Sequence, residues 1–311
     1  MSTLTYFDAD AIRAALSPAD AVDAIARTLV GAFDPADDVP RTSAHLSHGH
    51  FLLMPTEAGP VAGIKVATVA PDNPSRGLPR IQASYLLYDA ETLASKAVLD
   101  GTALTTLRTP AVSVAAVRPL LDRHAGPLRV VVFGGGPQAI GHFDTLAAIR
   151  PDSVGSATFV LRRPENAGQK IRARGAVVAT GTEAASSALA AADVVVCATS
   201  SRTPLFSGGA VTNRAVVIAV GSHEPTAREL DSDLLARSTV IVEDPTAALR
   251  EAGDVIIAVD EMALASEALV PMKDVVTGAF RPPSDRPVVF KSVGMSWQDL
   301  SIAHAVFARQ D

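Results

Sequence analysis

A chain of 311 residues exceeds what one hydrophobic core of ordinary size organises, so two domains are expected. With 48% hydrophobic and 19% charged residues the composition excludes a disordered chain, and a net charge of -6 with scattered Lys and Arg excludes the basic footprint of a nucleic-acid binder. No run approaches the ~18 uninterrupted apolar residues of a membrane helix, and the opening MSTLTYFDADAIRAAL lacks a basic segment followed by an apolar core; a cytoplasmic protein with no membrane partner is expected. Cys197 is the single cysteine, which excludes an intrachain disulfide and a thiolate zinc cluster; within DVVVCAT it reads as a buried strand thiol.

In chain order, residues 8–32 have the apolar spacing of an amphipathic helix, with Ser17-Pro18 supplying a cap and first-turn signal for a second helix inside it. From His50 to Leu99 the pattern changes to period-two runs (FLLM, VAGIKVATV, QASYLLYD, SKAVLD) separated by turn residues, which predicts an antiparallel sheet. Gly101 to Leu121 is helical again, with a predicted interruption at Thr109-Pro110. After Gly126-Pro127, all-apolar runs (LRVVVF, ATFVL, AVVAT, DVVVCAT, AVVIAVG, TVIVED) alternate with Ala-rich helical stretches, the signature of a parallel sheet buried between helix layers. The C-terminal PVVFKSVGMSWQDLSIAHAVFARQ adds a strand, a glycine turn and an amphipathic helix that returns to the first domain. The expected fold class is therefore α/β: a Rossmann doubly wound domain over 123–289, and an α+β substrate and dimerisation domain from 1–122 and 290–311.

The most specific local motif is Gly134-Gly135-Gly136-Pro137-Gln138-Ala139, a GxGxxA between a strand and a helix. Gly134 permits the tight turn, Gly136 lets the backbone approach a pyrophosphate, and Ala139 allows close helix–strand packing, while the helix N-terminus offers N–H groups to phosphate. The second strand ends in FVLRRPEN, placing Arg162 and Arg163 where an acid would otherwise hold a ribose. Guanidinium groups there favour a 2′-phosphate, hence NADP(H), and Glu165 a turn away keeps NAD(H) open. A small-acid substrate needs cations, for which Arg41, Lys65 and Arg108 are candidates. By position alone, Lys65 between Ile64 and Val66 reads as a solvated side chain on the polar face of a half-buried strand.

The pieces PRTSAHL, FLLMP, GIKVATVAPDNPSRGLPRIQASYLLYDAETL, LTTLRTPA, FGGGPQA, ADVVVCATSSRTPLF and FKSVG, in this order, resemble the ornithine cyclodeaminase/mu-crystallin family over nearly the whole chain. The resemblance implies a homodimer. It implies that Arg41, Lys65 and Arg108 surround a substrate carboxylate, and that Thr109, Gln138, Arg162, Arg163, Thr199, Ser200, Gly221 and Ser292 line the cofactor beside the glycine motif. Where the cyclodeaminases carry an acid/base aspartate, this chain reads Gly221-Ser222-His223-Glu224-Pro225. That departure points to the reductase branch, which reduces cyclic imines such as 1-pyrroline-2-carboxylate or 1-piperideine-2-carboxylate to proline or pipecolate. His223 is then a candidate proton donor because its ordinary pKa lies near neutrality, with Lys65 or water as the other sources. The competing functions are an ornithine or lysine cyclodeaminase, an open-chain amino-acid dehydrogenase, and a non-enzymatic crystallin-like NADP(H)-binding protein. His45, His48 and His50 lack acidic or thiol partners at ligand spacing, so no metal is expected, and His142 and His304 read as packing or surface residues. Asp72 and Arg76 fall in a turn-rich loop stiffened by Pro71, Pro74 and Pro79.

Overall fold

The computed structural model describes residues 4–309. Its elements are β1 Thr5–Phe7, α1 Ala9–Ala15, α2 Pro18–Val30, β2 Thr42–Leu46, β3 Gly49–Ala58, β4 Val61–Val69, β5 Ile81–Asp89, β6 Ser95–Asp100 and α3 Gly101–Leu121. Then follow β7 Val130–Phe133, α4 Pro137–Ile149, β8 Ala157–Leu161, α5 Gln169–Arg172, β9 Gly175–Ala179, α6 Glu183–Ala191, β10 Val194–Cys197 and β11 Val216–Ala219. The chain continues through α7 Ser232–Ala236, β12 Thr239–Val242, α8 Pro245–Glu251, α9 Gly253–Asp260, β13 Val270–Pro271, α10 Met272–Thr277, β14 Val288–Lys291 and α11 Ser296–Phe307.

Two compact units emerge, Met1–Val112 with Met295–Asp311, and Ser113–Gly294. Both differ from the expected boundaries of 122/123 and 289/290. Residues 113–122 belong to the second unit, and so does β14, because it hydrogen-bonds to β11 and β12 in that unit's sheet.

In the first unit a six-stranded sheet has the order β1-β6-β5-β4-β3-β2. The four expected strands pair antiparallel, as their period-two pattern requires, but β1 joins β6 in parallel, so the sheet is mixed. Strand β2 escaped the pattern because all five of its residues are exposed and show no alternation. Ser17 caps α2 by accepting from the Asp20 N–H, with Pro18 in the first turn, as its sequence predicts. Helix α11 is buried on nearly every side rather than amphipathic, including Gln298 and Asp299. Pro110 does not interrupt α3: the helix runs through it, the Thr109 hydroxyl donates to the Thr105 carbonyl instead of capping, and residues 108–117 are all buried. Packing along that stretch overrides the local break signal.

The second unit holds an eight-stranded parallel sheet of order β13-β12-β14-β11-β10-β7-β8-β9. Every predicted apolar run in this region forms a strand of it. From β7 outward the order reverses direction between β7 and β10, the switch point at which doubly wound sheets bind ligands. Rows of like residues cross the sheet: Val130, Val194, Val216 and Val288 stand in register, and so do Val131, Val195, Val217, Val289 and Val240. The strands are buried on both faces. Cys197 lies at the end of β10 with no exposure, and burial pushes its thiol well above the ordinary value, consistent with an inert core residue.

Candidate active site

The first unit contributes a buried charge cluster. Lys65, in the middle of β4, is only 4% exposed. Its Nζ donates to Asp299 Oδ2 of α11 at 2.7 Å and to the Thr105 hydroxyl of α3 at 3.4 Å. Arg108, also buried, donates through Nη1 to Gln298 Oε1 at 2.7 Å and has Nε 3.7 Å from the same Asp299 oxygen. The reading of Lys65 as a solvated side chain is thus overturned: its alternate position does face one side of β4, but α11 covers that side. Burial pulls the Lys65 ammonium down to about 8, the charges of Arg108 and Arg41 push the same way, and Asp299 opposes them. Arg41, half-buried, bears on Lys65 through its charge, while Lys65 and Arg108 meet directly on Asp299. Lys65 and Arg108 together carry one charge more than Asp299, which leaves them fit to receive a carboxylate.

Two neighbours hold this cluster. Tyr85 lies opposite Lys65 in the β4–β5 register, and its ring occupies the space over Gly63, where a Cβ would stand 2.2 Å from the phenol oxygen. Asp38 accepts from the Thr56 hydroxyl at 2.6 Å and from the Trp297 N–H at 3.2 Å, tying the first turn of α11 and so the residues that follow it. Burial raises the Asp38 carboxyl to about 6. Asp299, Gln298, Thr105 and Tyr85 were not anticipated. A carboxylate and an amide inside the otherwise apolar SWQDLSIAHAVF were the available signal.

The second unit contributes a cleft of about 710 Å³ at the β7–α4 junction, whose lining includes Gly134, Gly136, Arg162, Arg163, Thr199 and Ser200. Gly134 has φ +116°, and a Cβ there would lie 2.3 Å from the Ala198 carbonyl oxygen, so this turn accepts only glycine. Gly136 is the N-cap of α4, carries no capping side chain and has open space where a Cβ would project. Pro137 takes the first helical position and Ala139 is fully buried against the strand. Gln138, in the same turn, offers its carbonyl to His142, which also meets the Ser113 hydroxyl; desolvation lowers that imidazole to about 4, so it packs as a neutral residue. An uncapped helix end, a glycine cradle and arginines at the end of β8 fit a dinucleotide.

Other expected cofactor residues are placed differently. Gly221 donates its N–H to Glu229 Oε2 at 2.7 Å, and the Ser292 hydroxyl donates to Glu243 at 2.7 Å; neither residue lines the cleft. Thr109 belongs to the first unit. His223 is exposed, in the segment after β11. Glu165 is exposed and outside the cleft lining, unlike Arg162 and Arg163. His45 and His50 face each other across the β2–β3 ladder, and no group of three or more His, Cys, Asp or Glu able to hold a metal occurs among the described residues.

A doubly wound sheet with a glycine-lined cleft at its switch point defines a dinucleotide-dependent oxidoreductase. More narrowly, the chain belongs to the ornithine cyclodeaminase/mu-crystallin family, whose model matches residues 9–311. It is 36% identical over 263 residues to a Delta(1)-pyrroline-2-carboxylate reductase 2 of Burkholderia ambifaria, covering 81% of this chain and 78% of that one. It is also 36% identical over 265 residues to a Delta(1)-pyrroline-2-carboxylate/Delta(1)-piperideine-2-carboxylate reductase of Azospirillum brasilense, with the same coverage of 81% and 78%. Its fold matches that of Thermococcus litoralis Delta(1)-pyrroline-2-carboxylate reductase, solved with NADH and L-proline, with a TM-score of 0.86 at 24% identity over 98% of this chain and 97% of that one.

Proposed function

We propose that this chain reduces a small cyclic imino acid, 1-pyrroline-2-carboxylate or 1-piperideine-2-carboxylate, to L-proline or L-pipecolate. The observation that carries the reading is the buried Lys65–Asp299–Arg108 cluster, with its surplus positive charge on a family fold whose cyclodeaminase aspartate is replaced by His223. Lys65 and Arg108 hold the substrate carboxylate, and Arg41 adds to the attraction. A pKa near 8 keeps Lys65 protonated at neutral pH, held by Asp299, so that its ammonium both binds the acid and offers a proton toward the imine nitrogen. His223 is the second proton source, a role open to histidine because an unperturbed imidazole titrates near neutrality. The reduced dinucleotide, when bound, supplies the hydride. Retention of these three cations favours turnover over a purely carrier role.

Arg162 and Arg163 line the cleft at the end of β8, which supports a preference for NADP(H) with NAD(H) accepted. A homodimer is supported by the sheet face turned away from α11, where Leu53, Ile64, Val66, Leu86 and Val98 are neighbours and only half-buried. Sedimentation of wild type and Leu86→Glu tests that assignment, with a shift to monomer expected. The function itself is tested by absorbance at 340 nm with NADPH or NADH and the two cyclic imines, alongside ornithine and pyruvate plus ammonia. Oxidation with the cyclic imines supports the proposal. Ammonia release from ornithine, turnover of the open-chain acid, or binding of NADPH without any turnover would overturn it.

A further inference from the structure

Beneath the β10 and β11 ends of the second sheet lies a polar assembly that the catalytic reading does not use. Glu229, fully buried, accepts three hydrogen bonds: from the Thr199 N–H at 2.8 Å and the Thr199 hydroxyl at 2.7 Å on Oε1, and from the Gly221 N–H at 2.7 Å on Oε2. One carboxylate therefore clamps the residue two places beyond β10 to the residue two places beyond β11. Glycine is required at 221, because a Cβ there would stand 2.1 Å from the Thr199 carbonyl oxygen and 2.5 Å from Glu229 Oε1. Glu229 is itself held by Asp254, whose Oδ1 accepts from the Glu229 N–H at 2.7 Å and the Leu230 N–H at 2.9 Å. Asp254 pairs with Lys291 at 3.0 Å, and Lys291 donates to the Ser222 carbonyl at 2.6 Å, returning to the β11 loop.

The cleft extends from Arg162 at the end of β8 to Thr199 and Ser200 beyond β10. A dinucleotide crossing the switch point of a doubly wound sheet puts its adenosine half on the β8 side, beside the arginines, and its other half toward β10 and β11. We propose that Glu229 is a positioning residue for the nicotinamide-bearing half, fixing the β10 and β11 loops as one surface for it while leaving the adenosine half untouched. This rests on the reading that the cleft takes a nicotinamide dinucleotide. The carboxylate is suited to the task because it accepts from both loops at once. An amide of the same shape accepts on one side and presents a donor to a donor on the other.

The test is calorimetric binding of NADPH and of 2′,5′-ADP, which carries only the adenosine half, to wild type and Glu229→Gln, with thermal melting recorded for both proteins. NADPH affinity is expected to fall by about tenfold or more, from loss of charged hydrogen bonds, while 2′,5′-ADP affinity stays within about twofold. Thr199→Val, which removes the hydroxyl bond to Glu229 together with the one that hydroxyl accepts from the Ser201 N–H in the same loop, is expected to show a smaller version of the same split and serves where Glu229→Gln does not fold. Equal losses for both ligands, tracking a lowered melting temperature, would mean a general structural role and overturn the proposal. Unchanged NADPH binding would overturn it as well. Failure of wild type to bind NADPH or NADH would instead remove the cofactor reading on which it rests.

Discussion

Replacing Asp299 by asparagine isolates the electrostatics of the substrate cluster. In the wild type, Lys65 titrates at about 8, so its ammonium is about nine-tenths protonated at pH 7. Asp299 holds that value up by its charge and by the 2.7 Å hydrogen bond, against burial and the two arginines. A hydrogen bond to a charged group contributes about 1.5–3 kcal/mol, and its loss lowers the Lys65 pKa by about one to two units. The alkaline limb of kcat/KM, which reports the free enzyme, should move down in pH by that amount in Asp299→Asn, with activity at pH 7 falling about two- to tenfold from protonation alone. Lys65→Arg, charged throughout the range, should flatten the limb. The assay is NADPH oxidation with 1-pyrroline-2-carboxylate from pH 5.5 to 9.5. Thermal melting gives a second sign: removing one member of a buried pair costs about 3–5 kcal/mol, and Lys65 escapes part of that cost by losing its proton, so Asp299→Asn should be less destabilising at pH 9 than at pH 6. A limb that stays at the wild-type pH in Asp299→Asn would refute the assignment of Lys65 as the titrating group.

Replacing Arg162 and Arg163 together by serine should raise the KM for NADPH about tenfold or more while leaving that for NADH nearly unchanged, read by initial rates with each cofactor; equal effects on both would show that the arginines do not read the 2′-phosphate. Gly134→Ala meets both a positive φ and a backbone oxygen at 2.3 Å, so it should lose about 2–5 kcal/mol in urea unfolding and bind NADPH more weakly. Wild-type stability and affinity in that variant would contradict the cradle. Asp38 tests a sign. Burial raises its carboxyl from 3.8 to about 6, so the folded chain holds the proton more tightly than the unfolded one, a stabilisation complete below the unfolded value and lost as pH rises through about 6. The stability of wild type relative to Asp38→Asn should therefore shrink by about 2–2.5 kcal/mol between pH 4 and pH 7 in denaturant titrations, and a constant difference would count against it.

The parallel strands were legible because burial on both faces demands uninterrupted apolar runs such as VVVF and VVVC, and α2 because Ser17-Pro18 caps it chemically. The edges of the first sheet were not: β2 is exposed on both faces, and β1 is three residues paired with a strand far along the chain. Pro110 misled because its effect depends on packing that no local window contains. The same division runs through the site. Gly134 and Arg162 line the cleft from the positions their motif marks in the sequence. Lys65 instead depends on Asp299, 234 positions away, to become buried and charged. Glu229 went unnoticed because a carboxylate in AREL looks like surface charge until the two loops it joins are brought together.

The valine rows across the second sheet carry a consequence for how the fold finds its alignment. Sliding a strand by one residue sets valine beside valine again, and with both faces apolar the slip exposes no polar side chain, so side-chain polarity along the strands discriminates weakly between registers. Discrimination falls to the strand ends, where Glu229, Glu243, Asp254 and Lys291 complete their hydrogen bonds only when β10, β11, β12 and β14 finish at matching heights. Apolar replacements at those four positions would leave helices and buried area largely intact while removing the marks by which neighbouring strands are aligned. The buried charges at the strand ends thus serve as the sheet's ruler.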